Sequence, residues 1–240
     1  MEKRNKNNKQ TGRVPLERAL SKLGYSSRTE AKALIEGGRV KVHGSLEKDP
    51  RRMVNPENAH IEVDGQKTKK AESRLFLFHK PKGVVTTKRD PEGRKTIYDL
   101  LPPELHSFHP VGRLDMHTTG LLLLTNDTRL SSFLTDPESG IPRCYVVEVR
   151  GEVTDESCLK MEAGVEDEGE VLKAISAEIL KRSGRETRLK LVLTEGKNRE
   201  IRRLCLSLGH EVSTLKRISF GDHELGELGP GEFREVLLSK

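Results

Sequence analysis

Apolar positions follow two rhythms along the chain, and the changes between them mark out its elements. Leu16, Ala19, Leu20 and Leu23 stand at helical spacing, which predicts a first helix opened by Pro15 and stopped at Gly24. Ser27 and Glu30 then form an S-x-x-E capping box ahead of Ala31, Leu34 and Ile35, so a second helix follows and ends at Gly37-Gly38. There the period drops to two. Val40 and Val42 alternate with Arg39 and Lys41 in a short strand, and Ile61 with Val63, closed by Asp64-Gly65, reads as its later partner.

Residues 65–74 are polar and basic, the composition of a linker. A longer region starts at Leu75. RLFLF reads as a strand that turns at His79-Lys80-Pro81-Lys82-Gly83, and VVTT resumes extended structure. The unbroken run Leu121–Leu124 suits a strand covered on both faces. Leu130, Phe133 and Leu134 predict a short helix before Pro137, and residues 155–163 predict another, ending at Gly164. CYVVEVRG, KAISAEIL and RLKLVL read as strands. NREIRRLCLSLG reads as a helix burying Ile201, Leu204, Cys205 and Leu208. Without internal repeats or strict βαβ alternation, the pattern predicts an α+β fold.

Composition narrows the function. The 240 residues include 43 Lys and Arg against 37 Asp and Glu, a net +6, with hydrophobic and charged residues at 33% each. That balance predicts a polyanion as partner. Lys3, Arg4, Lys6, Lys9 and Arg13 against Glu2 concentrate the excess in residues 1–13, which read as a disordered basic tail. No run reaches the roughly 20 apolar residues of a membrane span. The polar start lacks a secretory apolar stretch, and Cys144, Cys158 and Cys205 form no CxxC pair. A cytoplasmic protein without disulfides or structural zinc is expected. His106, His109 and His117 match no metal-ligand spacing, and no phosphate-binding glycine loop appears, so neither a metal nor a nucleotide cofactor is expected.

Arg28 and Lys32 share a helix face, and Arg39 and Lys41 leave it on the solvent side of the following strand, a cluster fitted to a phosphate backbone. The run GYSSRTEAKALIEGGRVKVHG resembles the alpha-L RNA-binding domain, shared with the fourth protein of the small ribosomal subunit. The likeness covers residues 14–63. It implies recognition of structured RNA by shape and phosphates.

Asp115 lies in a polar turn just before the buried Leu121–Leu124 run, and taken alone it reads as a turn residue. The whole segment from Gly112 to Asp127, GRLDMHTTGLLLLTND, closely resembles the active-site motif of ribosomal RNA pseudouridine synthases of the RsuA/RluB type. KPKGVVTT from Lys80, RCYVV from Arg143 and EGKNREIRR from Glu195 match further family blocks in the family's order. The resemblance runs from residue 14 to about residue 236. It implies an alpha-L domain over 14–64, a linker over 65–74, and a catalytic domain over 75–240 with a mixed, mainly antiparallel sheet flanked by helices. The activity it implies is isomerisation of a uridine in ribosomal RNA, on the free RNA or a subunit precursor, without a cofactor; a monomer is the default expectation.

In that reading Asp115 is the catalytic carboxylate, Arg202 its cationic partner and Tyr145 the aromatic platform for the base. Arg202 also falls at the edge of the predicted helix's buried face, whereas Arg199 and Arg203 point nearly opposite. Arg199, Arg203 and Lys197 therefore read as phosphate contacts. Lys80 and Lys82 read as phosphate contacts or turn residues, and Arg113 as a side chain entering the space left by a flipped uridine. The block beginning at Glu195 resembles the large-subunit branch more than the small. A non-catalytic ribosome-assembly factor and an RNA N-glycosidase are the competing readings.

Overall fold

The computed structural model describes residues 12–68 and 72–237, so the tail expected over 1–13 lies almost wholly outside the described residues. Backbone contacts separate a smaller unit, reaching to Ser73 and including Asn126–Thr128, from a larger one built of the remaining chain.

In the smaller unit, helices α1 (Leu16–Lys22) and α2 (Arg28–Glu36) cover a sheet of β1 (Val40–Val42), β2 (Ser45–Glu47), β3 (Ile61–Val63) and β4 (Gln66–Lys67). The capping box forms as its spacing predicts: Ser27 Oγ accepts the Glu30 N–H at 3.2 Å, and Glu30 Oε2 accepts the Ser27 N–H at 2.8 Å. Leu16, Leu20 and Ile35 pack on Val40, Val42, Ile61 and Val63. Gln66–Lys67, expected in the linker, instead pair with Glu62 and Val63 across the Asp64-Gly65 turn. Both turn residues have positive φ, which leaves the chain pointing back along β3.

The larger unit is built on β5 (Leu75–Lys80), β6 (Thr119–Thr125), β7 (Arg143–Arg150), β8 (Ser176–Arg182), β9 (Glu186–Leu193), β10 (Val212–Phe220) and β11 (Phe233–Val236). Their order is β8-β9-β7-β10-β6-β5-β11. Every neighbouring pair is antiparallel except β6 and β10, which run parallel at Thr119↔Lys216 and Gly120↔Arg217. The fold is α+β with a mixed, mainly antiparallel sheet. β6 is buried from Gly120 to Thr125, so its unbroken apolar run reflects cover on both faces. A Cβ on Gly120 would lie 2.2 Å from the Arg217 carbonyl oxygen, and its φ is +102°; only glycine lets the parallel strands approach here.

Helices α3 (Thr128–Thr135), from Arg129 on, α4 (Asp155–Ala163) and α5 (Glu200–Ser207) complete the larger unit. Four sequence expectations differ from what folds. Val84–Thr87 makes only a single bridge, Val85 to Thr96, in place of a strand. Phe133 is exposed on α3 although its spacing suggests burial. A hairpin of Val165–Asp167 and Glu170–Leu172 follows α4, where an acidic, weakly apolar stretch gave no strand signal. Helix α5 begins at Glu200, leaving Asn198 and Arg199 outside it.

Candidate active site

The segment entering β6 makes a turn in which the Thr118 N–H donates to the Asp115 carbonyl at 3.0 Å. Its backbone is gripped from behind by the end of β5. Lys80 Nζ donates to the carbonyls of Thr118 at 2.8 Å, Pro81 at 3.1 Å and Met116 at 3.4 Å. The Gly83 N–H donates to the Met116 carbonyl, and Thr86 Oγ1 donates to the Leu114 carbonyl, each at 2.8 Å. With Leu114 buried below it, the turn leaves the Asp115 carboxylate half-exposed over a cleft of about 480 Å³. That volume lies within the range of small-ligand pockets.

Three strands supply the cleft floor. Arg143 and Tyr145 lie two apart on β7 and so face the same way, joined by Leu193 of β9 and by Leu215 and Arg217 of β10. Tyr145 is opposite Arg217, just past a register shift at Cys144/Tyr145 of the kind that re-aims a side chain. Arg143 is buried. Its Nη1 donates to the Thr194 carbonyl at 2.6 Å and its Nη2 to the Leu134 carbonyl at 3.1 Å, while its guanidinium stacks 4.7 Å from the Phe220 ring centre. Arg217 stacks on the same ring at 5.0 Å and donates from Nε to the Leu121 carbonyl at 2.7 Å.

The loop before α5 forms the remaining wall. Arg199 adopts a left-handed conformation, φ 49° and ψ 29°, and its Nη1 stands 3.9 Å from Asp115 Oδ2. Arg202 does not make the direct pair expected of it. Its Nη1 donates to the Val212 carbonyl at 3.2 Å and its Nη2 to the His117 carbonyl at 3.4 Å, so it ties the start of β10 to the Asp115 turn. Burial and the charge of Arg199 draw the Arg202 pKa down, and Asp115 opposes the shift. Arg199 leaves its wheel position because helical geometry starts one residue later.

Lys80, expected on phosphates or in the turn, and Lys197 and Arg203, expected on phosphates, are engaged internally. Lys80 is fully buried, its pKa lowered to about 8 by burial against the pull of Asp115. Lys197 Nζ donates to Glu195 Oε1 at 2.6 Å and the Val171 carbonyl at 2.7 Å. Arg203 is clamped by Asp167 at 2.6 Å and Glu170 at 2.8 Å, the acids of the unexpected hairpin. Lys82 and Arg113 are exposed. In the smaller unit Arg28 and Lys41 are exposed, Lys32 is 3.8 Å from Glu36, and Arg39 is paired with Asp64. Among the described residues no group of His, Cys, Asp or Glu is arranged to hold a metal ion, and no helix is long and apolar enough to cross a membrane.

The pattern of the RNA pseudouridylate synthase family matches residues 74–207, and that of the S4 domain, the alpha-L fold, matches residues 14–61. The chain belongs to the RNA pseudouridine synthase family. An uncharacterized RNA pseudouridine synthase of Aquifex aeolicus is 38% identical, the match covering 93% of this chain and 90% of the relative. A Bacillus subtilis protein named ribosomal large subunit pseudouridine synthase B is 35% identical over 92% of this chain and 91% of its own. A crystal structure of a pseudouridylate synthase superposes with a TM-score of 0.67 at 28% identity, covering 93% of this chain and 96% of the other. The family match in this synthase contains Asp115, Tyr145, Arg199 and Arg202 together.

Sequence reasoning gave Arg143 and Glu200 no role, although both sit inside blocks that carried the resemblance. Arg217 went unassigned too, and a lone arginine among apolar strand residues is the only signal it offered.

Proposed function

We propose that this synthase isomerises one uridine of large-subunit ribosomal RNA, with Asp115 acting at the ribose. The observation that carries the reading is the Asp115 turn, its backbone fixed from behind by Lys80 and Thr86 and its carboxylate open to a cleft with Arg199 3.9 Å away. A carboxylate so placed faces a cation without a tight hydrogen bond to it, so its lone pairs stay open to substrate.

The reaction needs little more. The N1–C1′ bond of uridine breaks, the freed uracil turns, and a C5–C1′ bond forms; C5 then loses its proton and N1 carries one, so substrate and product are isomers. Asp115 serves either as nucleophile at C1′ or as base at C2′. A primary isotope effect with 2′-deuterated uridine marks the second route, and its absence the first. Tyr145, on the cleft floor, stacks on the extruded base, and its hydroxyl assists the transfer of the C5 proton. Arg113, exposed beside Asp115, fills the gap in the RNA stack and offsets the few kcal/mol that flipping costs. No step requires a cofactor.

The cleft walls carry more cations than carboxylates: Arg113, Arg143, Lys197, Arg199, Arg202 and Arg217 face Asp115, Glu195 and Glu200. That imbalance favours a polyanionic substrate. The unit containing Arg28, Lys32, Arg39 and Lys41 anchors structured RNA through phosphates. The name of the Bacillus subtilis relative supports the large subunit as target. The protein acts in the cytoplasm as a monomer.

Mapping pseudouridines in both ribosomal RNAs tests this, using cells lacking the protein and complemented with wild type or Asp115→Asn. The expected result is one large-subunit site lost on deletion and restored only by wild type. An unchanged map in the deletion strain overturns the reading.

A further inference from the structure

One buried acid in the cleft wall is not used by this chemistry. Glu200 is 4% exposed, lines the cleft and opens α5. Its Oε2 accepts the Lys197 N–H at 3.0 Å, and its own N–H donates to the Lys197 carbonyl at 3.3 Å. These two bonds close the turn that throws Arg199 into its left-handed conformation and towards Asp115. Glu200 Oε1 receives no hydrogen bond from the described residues.

The charged groups facing Glu200 are few. Glu195 and Lys197 belong to the same loop, and Arg143 reaches it from β7. Glu195 lines the same cleft wall as Glu200 and is held there by Lys197 Nζ at 2.6 Å, on the loop whose Lys197 N–H Glu200 accepts. Two ionised carboxylates in one wall are both acceptors and repel; one proton shared between them replaces the repulsion with a bond. Burial, reinforced by Glu195, pushes the Glu200 acid up to about 7, with the Lys197 N–H opposing.

We propose that Glu200 is a positioning residue for the isomerisation: a proton shared with Glu195 ties the loop of residues 195–199 together and so holds Arg199 on Asp115. The inference rests on the catalytic reading of Asp115. Loss of the shared proton sets two carboxylates against each other in one wall, the loop loosens, and Arg199 leaves its partner. Turnover then falls on the alkaline side.

Glu200→Gln keeps an oxygen for the Lys197 N–H and a donor for Glu195, and it has no proton to lose. Glu200→Ala keeps neither. Full-length proteins are compared for pseudouridine formation on a large-subunit RNA transcript from about pH 6 to about pH 8, reading kcat and KM separately. Wild type is expected to lose turnover across this range, whereas Glu200→Gln keeps its lower-pH kcat throughout. Glu200→Ala is expected to lose about tenfold in kcat at every pH, with KM nearly unchanged. Carbon-13 carboxyl NMR of the wild type reads the proton without turnover, as one glutamate signal titrating near neutrality and missing from Glu200→Gln. A Glu200→Gln profile that falls like wild type, a Glu200→Ala kcat equal to wild type, or no such signal overturns the proposal. A wild type that forms no pseudouridine on any ribosomal RNA overturns the catalytic reading instead, and the NMR titration still decides whether Glu200 holds the proton.

Discussion

Arg199 reaches Asp115 from outside the helix that follows it: its backbone is left-handed, and its Nη1 lies 3.9 Å from the carboxylate. The separation is that of an ion pair without a tight hydrogen bond, so the carboxylate stays available to substrate. Asp115→Asn is therefore expected to abolish pseudouridine formation while leaving RNA affinity nearly unchanged. Arg199→Ala is expected to lower single-turnover rates by about tenfold to a hundredfold, the loss of one ionic contact at the reacting group. Appreciable turnover by Asp115→Asn would refute the assignment.

Arg202 acts on backbone, and its loss has a different signature. Arg202→Ala removes donors from the His117 and Val212 carbonyls and is expected to cost about 1–2 kcal/mol of stability together with turnover. Arg202→Lys should not restore activity, because a single ammonium does not span both carbonyls. Urea unfolding and rate measurements on the same variants check this, and full rescue by lysine would contradict the two-carbonyl role.

Lys80 gives the stability a pH dependence. Its folded pKa lies near 8 against an ordinary 10.5. Between those values the unfolded chain holds a proton that the folded chain has lost, so stability rises with pH across that window. Lys80→Met is expected to remove this rise and to lower stability by about 2 kcal/mol, since the carbonyls of Pro81, Met116 and Thr118 lose their shared donor. Urea midpoints measured across the window read both effects; a variant as stable as wild type would dismiss the grip on the Asp115 turn.

Gly120→Ala is expected to destabilise by about 3 kcal/mol or more, as an overpacked Cβ and a positive φ combine. Gly184→Ala, where an added Cβ meets nothing within 4 Å, serves as the control with stability unchanged. Thermal melts of the two variants side by side separate close strand approach from a general aversion to replacing glycine.

The two exposed basic residues of β1 and its approach should differ in RNA binding. Lys41 is exposed with no acid within ion-pair distance among the described residues, whereas Arg39 is held by Asp64 through Nε at 2.8 Å. Lys41→Gln is expected to reduce the slope of log affinity against log salt by about one phosphate contact, and Arg39→Gln by less. Binding titrations at several salt concentrations check the order, and equal slopes for both variants would remove the distinction.

Local chemistry was legible in the sequence where short range decides it. The Ser27–Glu30 capping box, the Asp64-Gly65 turn and the Leu121–Leu124 run all take the forms their spacing predicts. What escaped depends on partners distant in the chain. A lysine in a turn looks solvated until three carbonyls converge on it, as they do on Lys80. Arg203 looks free until the hairpin at 165–172 brings its acids. The helical wheel misplaced Arg199 because Glu200 caps the loop back onto Lys197 and delays the helix. The family resemblance located the block holding both arginines; only the fold distinguishes the one facing the carboxylate from the one tethering its turn.

The parallel pairing of β6 with β10 has a consequence for how the site comes into being. Parallel neighbours are entered from the same end, so the turn before β6 and the helix before β10 arrive on one side of the sheet. Antiparallel neighbours would have set Asp115 and Arg199 apart by about a strand's length, some 20 Å. Such a pairing joins segments far apart in sequence and cannot form from local structure alone. The appearance of turnover during refolding is therefore expected to time the pairing of β6 with β10.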